Sequence, residues 1–180
     1  MNLFLCEIYS AQSLTAVPVQ PPIIDLLSLD FDSPVADQQA VRHVLPQRYE
    51  MEQLTAIVYD DVESGIVVGY KETSDNDFWV RGHMPGQPLM PGVMMCEAAA
   101  QVCSYHVIAN KLMEAEMIGF AGLDAVRFRG PVSPGDRLVV AAQKLQLRPK
   151  TLVRCRFQCF VEQNLVCEGE MRGAPLRVET

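Results

Sequence analysis

The sequence lacks most of the signatures that would assign it at a glance. Its six cysteines include no C-x-x-C pair, so neither a zinc knuckle nor a thioredoxin-like centre is indicated, and no metal site is expected. Long apolar runs are missing too: Val93–Ala109 is broken by Glu97, Gln101, Ser104 and His106, which argues against a membrane span. Met1–Ser10 has no basic n-region, its nearby charge being Glu7, so no signal peptide is read there. Free cysteines among apolar neighbours behave as small hydrophobes, and a reduced, cytoplasmic location is the expectation.

Positive charge is scarce and unevenly placed. The chain carries a net −7, yet Leu123–Arg156 holds eight basic residues against two acids, a local +6. Such a window is either a solvated strand face or a surface for an acidic partner. No aromatic-plus-basic cluster accompanies it, so nucleic acid is excluded as that partner. What remains is ordinary for a globular chain: 180 residues, 49% hydrophobic and 21% charged. A chain this long buries roughly 70% of its unfolded surface and forms a core without disulfides or metal.

Residues 1–41 contain Pro18, Pro21, Pro22 and Pro34 and no sustained period, so they read as an extended, partly disordered arm before a domain at 42–180. Within the arm, Ile23–Leu29 is apolar enough to dock on the body or on a neighbouring subunit. A short helix is predicted at Ala36–Leu45, stopped by Pro46, and strands at Gln53–Tyr59 and Gly65–Glu72. Asp75–Gln87 reads as a loop. One long helix opens after Pro91-Gly92 and runs to about Leu112, favoured by Ala98-Ala99-Ala100. Strands follow at Ile118–Phe128, Leu138–Leu147, Val153–Val161 and Leu165–Arg172. In Val153–Val161 the odd positions are apolar and the even ones polar, apart from Phe160. One helix with antiparallel strands wrapped about it is an α+β architecture.

Of three histidines, His83 has the informative setting, a Gly- and Pro-rich loop at Arg81–Pro88. Glu97 lies in an otherwise apolar helix, where a carboxylate is costly to bury unless paired. Gln101, one turn on, is placed to hydrogen-bond it. The helix start at Gly92-Val93 offers N–H groups with no internal partner, an electrophilic patch that a thioester carbonyl could use as an oxyanion hole. Gly92 would let a ligand approach that backbone closely.

Gly82-His83-Met84-Pro85-Gly86-Gln87-Pro88-Leu89-Met90-Pro91-Gly92-Val93, followed by Glu97-Ala98 and Ala100-Gln101, closely resembles the signature of FabZ-type (3R)-3-hydroxyacyl-[acyl-carrier-protein] dehydratases. The resemblance runs from about residue 44 to 175, through Phe120–Asp124, Val126–Phe128, Pro134–Asp136 and Val166–Glu170. It departs at Gln47, where the family usually has histidine, and at Glu50–Gln53, where it has an apolar run. The resemblance implies a hot-dog fold, an antiparallel sheet wrapped around a long central helix. It implies dehydration of 3-hydroxyacyl thioesters, with His83 and Glu97 catalytic, Gly92 and Val93 at the carbonyl and Gln101 supporting. No cofactor is implied beyond the phosphopantetheine of a carrier protein or coenzyme A that carries the substrate. Sites would be shared across a homodimer, with a trimer of dimers above it. Met90, Met94 and Met95 are expected to line an acyl tunnel, and Arg127, Arg129 and Arg137 to receive an acyl carrier protein. The competing readings are a hot-dog thioesterase, with Glu97 activating water, and a non-catalytic acyl-binding subunit.

Overall fold

The computed structural model describes residues 19–176, so the first eighteen residues of the expected arm lie outside it. A short helix α1 (Gln38–Val44) precedes strands β1 (Ala56–Asp61) and β2 (Ile66–Glu72). The long helix α2 (Gly92–Ala109) comes next, and then β3 (Met117–Phe128), β4 (Arg137–Arg148), β5 (Leu152–Val161) and β6 (Asn164–Leu176). All strands pair antiparallel in one sheet of order β1-β2-β4-β5-β6-β3. The sheet wraps α2, which is the hot-dog arrangement. Among the described residues no helix is long and apolar enough to cross a membrane.

The sequence explains most boundaries. Asp37 caps α1 by accepting from the Ala40 N–H at 2.8 Å, and the chain leaves the helix at Leu45, before Pro46. Helix α2 buries residues on every side, from Met95 and Cys96 to His106 and Val107, as a helix enclosed by a sheet must. Close approach is helped by Gly69 on β2, where a Cβ would stand 2.8 Å from Ile57 Cδ1 and 3.1 Å from Val102 Cγ2.

Two strand boundaries lie three or more residues from expectation, each for a local reason. β1 starts at Ala56 rather than Gln53, because Gln53 is bound to Gln101 of α2. β6 continues past Arg172 because Gly173–Leu176, Pro175 included, pair with Met117–Phe120 of the edge strand β3. β3 stays one strand through its glycines: Gly119 pairs in register with Ala174, and Gly122 follows one irregularity after Phe120, with a second between Asp124 and Arg127.

The sheet is apolar on both faces. The inner face packs on α2 through residues such as Val67, Val140, Val153, Cys155 and Phe157. The outer face carries Val58, Val68, Tyr70, Val139 and Phe160, and Ile23 of the N-terminal arm lies against it. Phe160, the exception to the alternation in β5, therefore has a partner. Gln158 ties the arm down: its Oε1 accepts from Ile23 N at 2.9 Å, and its Nε2 donates to Gln20 O at 3.2 Å and Pro21 O at 3.3 Å. Farther along the arm, Phe31 meets Tyr70 edge-on at 5.8 Å, with Arg137 over both rings. The docking expected of Ile23–Leu29 is thus made on the chain's own sheet.

Candidate functional site

His83 is carried by the loop between β2 and α2, and a buried ion pair anchors that loop. Lys71 Nζ on β2 lies 2.9 Å from Asp77 Oδ1, and the other Asp77 oxygen accepts from Ser74 N at 2.7 Å. The His83 N–H donates to Trp79 O at 2.7 Å, and the Leu89 N–H donates back to His83 O at 2.7 Å. The ring itself is exposed, with Nδ1 2.8 Å from the Leu89 carbonyl oxygen. A carbonyl can only accept, so Nδ1 carries the hydrogen. In neutral His83 the lone pair is then on Nε2.

Glu97 stands one and a half turns into α2 and is half-buried. Its Oε1 accepts from Gln101 Nε2 at 2.7 Å, the hydrogen bond expected from their spacing. Gln101, 2% exposed, does more than the sequence suggests. Its Nε2 also donates to Met51 O at 2.7 Å, and its Oε1 accepts from Gln53 N at 2.9 Å. The segment after α1, where the sequence departs from the family's apolar run, is what positions Gln101 and through it Glu97.

Beside Glu97 lies a cavity of about 150 Å³. Glu97, Ala100, Cys103 and Ser104 line it from α2, and Ile118–Phe120, Val153, Cys155 and Met171–Gly173 from the sheet, with Gln47 at the side. None of Met90, Met94 and Met95 is among its lining residues. This corrects the expectation for a single chain: Met90 and Met95 are buried in the core, and Met94 packs against it. Sequence reasoning missed the actual lining because residues from β3, β5 and β6 meet α2 only in the folded sheet.

The helix start behaves as expected in one respect and not in another. The N–H groups of Gly92 and Val93 have no hydrogen-bond partner among the described residues. The space a Cβ on Gly92 would need, however, is filled by Phe128, whose ring atoms would stand 2.7 Å away. Glycine is required there for the packing of Phe128, so the space of the missing side chain serves that ring, while the N–H groups stay open to a ligand. Within one chain His83 and Glu97 share no hydrogen bond, and the cavity beside Glu97 includes no residue of the His83 loop.

Three of the window's eight basic residues, Arg129, Arg137 and Arg154, have carboxylate partners among the described residues. Arg129 Nε donates to Glu168 Oε1 at 2.8 Å and Arg137 Nε to Glu72 Oε1 at 2.6 Å. Of the three arginines expected to receive a carrier, Arg127 alone has no carboxylate partner among the described residues. Glutamates of β2 and β6 thus offset part of the window's charge, while Arg127, Lys144, Arg148, Lys150 and Arg156 have no carboxylate partner among the described residues.

His106 was uninformative in the sequence and proves to be 1% exposed. Its Nδ1 lies 2.5 Å from Asp60 Oδ1, and Asn110 Nδ2 donates to Asp60 Oδ2 at 2.8 Å. The group joins the end of α2 to edge strand β1. No local pattern links residues forty-six positions apart.

Residues 45–170 match the FabA-like domain family. Among solved structures, a chain of the ApeI:P dehydratase heterocomplex from Xenorhabdus doucetiae is 16% identical, with a TM-score of 0.64 over 76% of this chain and 91% of that one. A sigma28-regulated virulence protein from Campylobacter jejuni is 18% identical, with a TM-score of 0.60 over 80% and 95%. Zebra fish thioesterase superfamily member 2 is 12% identical, with a TM-score of 0.57 over 77% and 95%. At these identities the likeness is one of fold.

Proposed function

The chain belongs to the FabA-like domain family, and from that premise we propose that it is a FabZ-type dehydratase, eliminating water from (3R)-3-hydroxyacyl thioesters. The observation that carries the reading is the His83–Leu89 hydrogen bond. It fixes the hydrogen on Nδ1 and presents a free lone pair on exposed Nε2, the form a general base needs. His83 Nε2 takes the proton from C2, which the thioester carbonyl makes acidic. The carbon–hydrogen electron pair becomes the C2–C3 double bond as the C3 hydroxyl leaves. Glu97, held by Gln101, gives that hydroxyl its proton, so it departs as water. The unpartnered N–H groups at Gly92 and Val93 stabilise the carbonyl oxygen as charge develops on it.

Separation of His83 from the Glu97 cavity within a chain fits a site shared by two subunits. Edge strand β3 exposes Phe120, Leu123 and Phe128 and leaves one side of its backbone unpaired, as an edge that joins a second copy would. The acyl group arrives on phosphopantetheine, from a carrier protein or coenzyme A, and Arg127, which of Arg127, Arg129 and Arg137 alone has no carboxylate partner among the described residues, is placed to meet an acidic carrier. The test is hydration of crotonyl thioester, the reverse reaction. His83→Ala and Glu97→Gln should each lose about 100-fold or more in kcat/KM. Mixing the two inactive proteins should recover activity, because one site of a mixed dimer is intact. Near-wild-type turnover in either variant sinks the assignment, and no recovery on mixing sinks the shared site.

One observation favours a second reading, a thioesterase. Glu97 reaches a cavity without any histidine of its own chain, as a lone carboxylate activating water would. Release of free thiol from a saturated acyl thioester, without hydration of crotonyl thioester, would select it.

A further inference from the structure

On the dehydratase reading, on which this inference rests, the C3 hydroxyl lies at Glu97 and the rest of the acyl group must continue beyond it. The cavity beside Glu97 offers the path. It follows α2 from Glu97 past Ala100 to Cys103 and Ser104, a helix rise of about 10 Å. Then it stops. Cys103, Val153, Cys155 and Met171, none more than 5% exposed, close its floor. The floor is also uncharged: the neighbouring Cys155 thiol and burial push the Cys103 thiol well up, so it stays protonated. A protonated, buried thiol packs as a small apolar group.

The volume sets a limit. Within one chain the cavity measures about 150 Å³, with Glu97, Ser104 and Arg172 in its lining beside the apolar groups, and a cavity of roughly that size holds a benzene-sized guest. A longer tail would have to push aside side chains packed between α2 and the sheet, which close-packed interiors resist. We propose that the site selects compact acyl groups, with a tail of about six carbons beyond C3, and that Ala100 and Met171 set this limit. Ala100 is the small residue between Glu97 and Cys103 on the lining face of α2, so a larger side chain there fills the path. Met171 forms part of the floor, so shortening it deepens the cavity.

Two measurements on the full chain separate this selectivity from the chemistry. Binding of saturated octanoyl- and palmitoyl-pantetheine, followed by calorimetry, reads the cavity. Hydration of crotonyl, trans-2-octenoyl and trans-2-hexadecenoyl pantetheine reads the reaction. Octanoyl should bind about tenfold or more tightly than palmitoyl, and octenoyl should exceed hexadecenoyl in kcat/KM by a similar factor. Ala100→Leu should lower the octenoyl-to-crotonyl ratio about tenfold, and Met171→Ala should raise the hexadecenoyl-to-octenoyl ratio severalfold. Thermal unfolding checks that each variant folds, and Met171→Ala decides alone if Ala100→Leu does not. Equal binding of both lengths, or a preference that the folded variants leave unmoved, overturns the inference and leaves the dehydratase reading standing. An octanoyl preference in binding with no hydration at any length overturns the dehydratase reading and keeps the compact-tail preference.

Discussion

At the scale of single residues, Gln101 carries the largest share of the arrangement around Glu97. Its amide serves Glu97, Met51 O and Gln53 N together, so its loss leaves three groups without that partner. Gln101→Leu should cost roughly 3 kcal/mol, since unsatisfied buried polar groups cost about 1–3 kcal/mol each. A urea denaturation midpoint close to wild type would refute this. Glu52 supplies a pH-dependent element. Arg42 donates to both of its oxygens at 2.7 Å and holds its carboxyl below the ordinary value of 4.5, with burial opposing the shift. A carboxyl lowered in the folded state stabilises fully above its unfolded pKa, and the benefit is lost as pH falls through the folded value. Glu52→Gln should therefore flatten the loss of thermal stability below about pH 4.5 and leave the neutral side's slope unchanged. His83, Glu97 and Gln101 were legible in the sequence because each sits in a short, distinctive stretch. Asp60 with His106, and the partners that neutralise Arg129 and Arg137, were not, because pairs across strands leave no local trace.

At the scale of elements, periodicity and Gly/Pro punctuation located the helices and strands to within a few residues. Errors came where tertiary contacts override propensity. Gln53 leaves the strand pattern to meet α2, and Gly173–Leu176 stays in the sheet because β3 is there to pair with it. The arm at 19–33 shows the same limit. Its apolar content suggested docking, but the site beneath Phe160, Val139 and Tyr70 follows only from strands that are far apart in sequence. Ile23→Asp should loosen the arm, lower the thermal midpoint and raise the fluorescence of a dye that binds apolar surface. An unchanged dye signal would mean that the outer face needs no such cover.

At the scale of the whole molecule, the two faces of the sheet have different tasks. The inner face and α2 build the cavity and hold Glu97, while the outer face is closed by the chain itself. Composition could not reveal this division: an apolar strand residue reads alike whether it faces the central helix or the arm. The local charge is partly offset for the same reason, since acidic residues from β2 and β6 are remote in sequence and adjacent in space. The arm over the outer face has a further consequence. A cover supplied by another subunit weakens on dilution, because its hold depends on how often two molecules meet. A cover tethered to the same chain is always at high local concentration and keeps its place however few copies surround it. The outer face is thus protected to the same degree in a crowded cell and in a dilute assay.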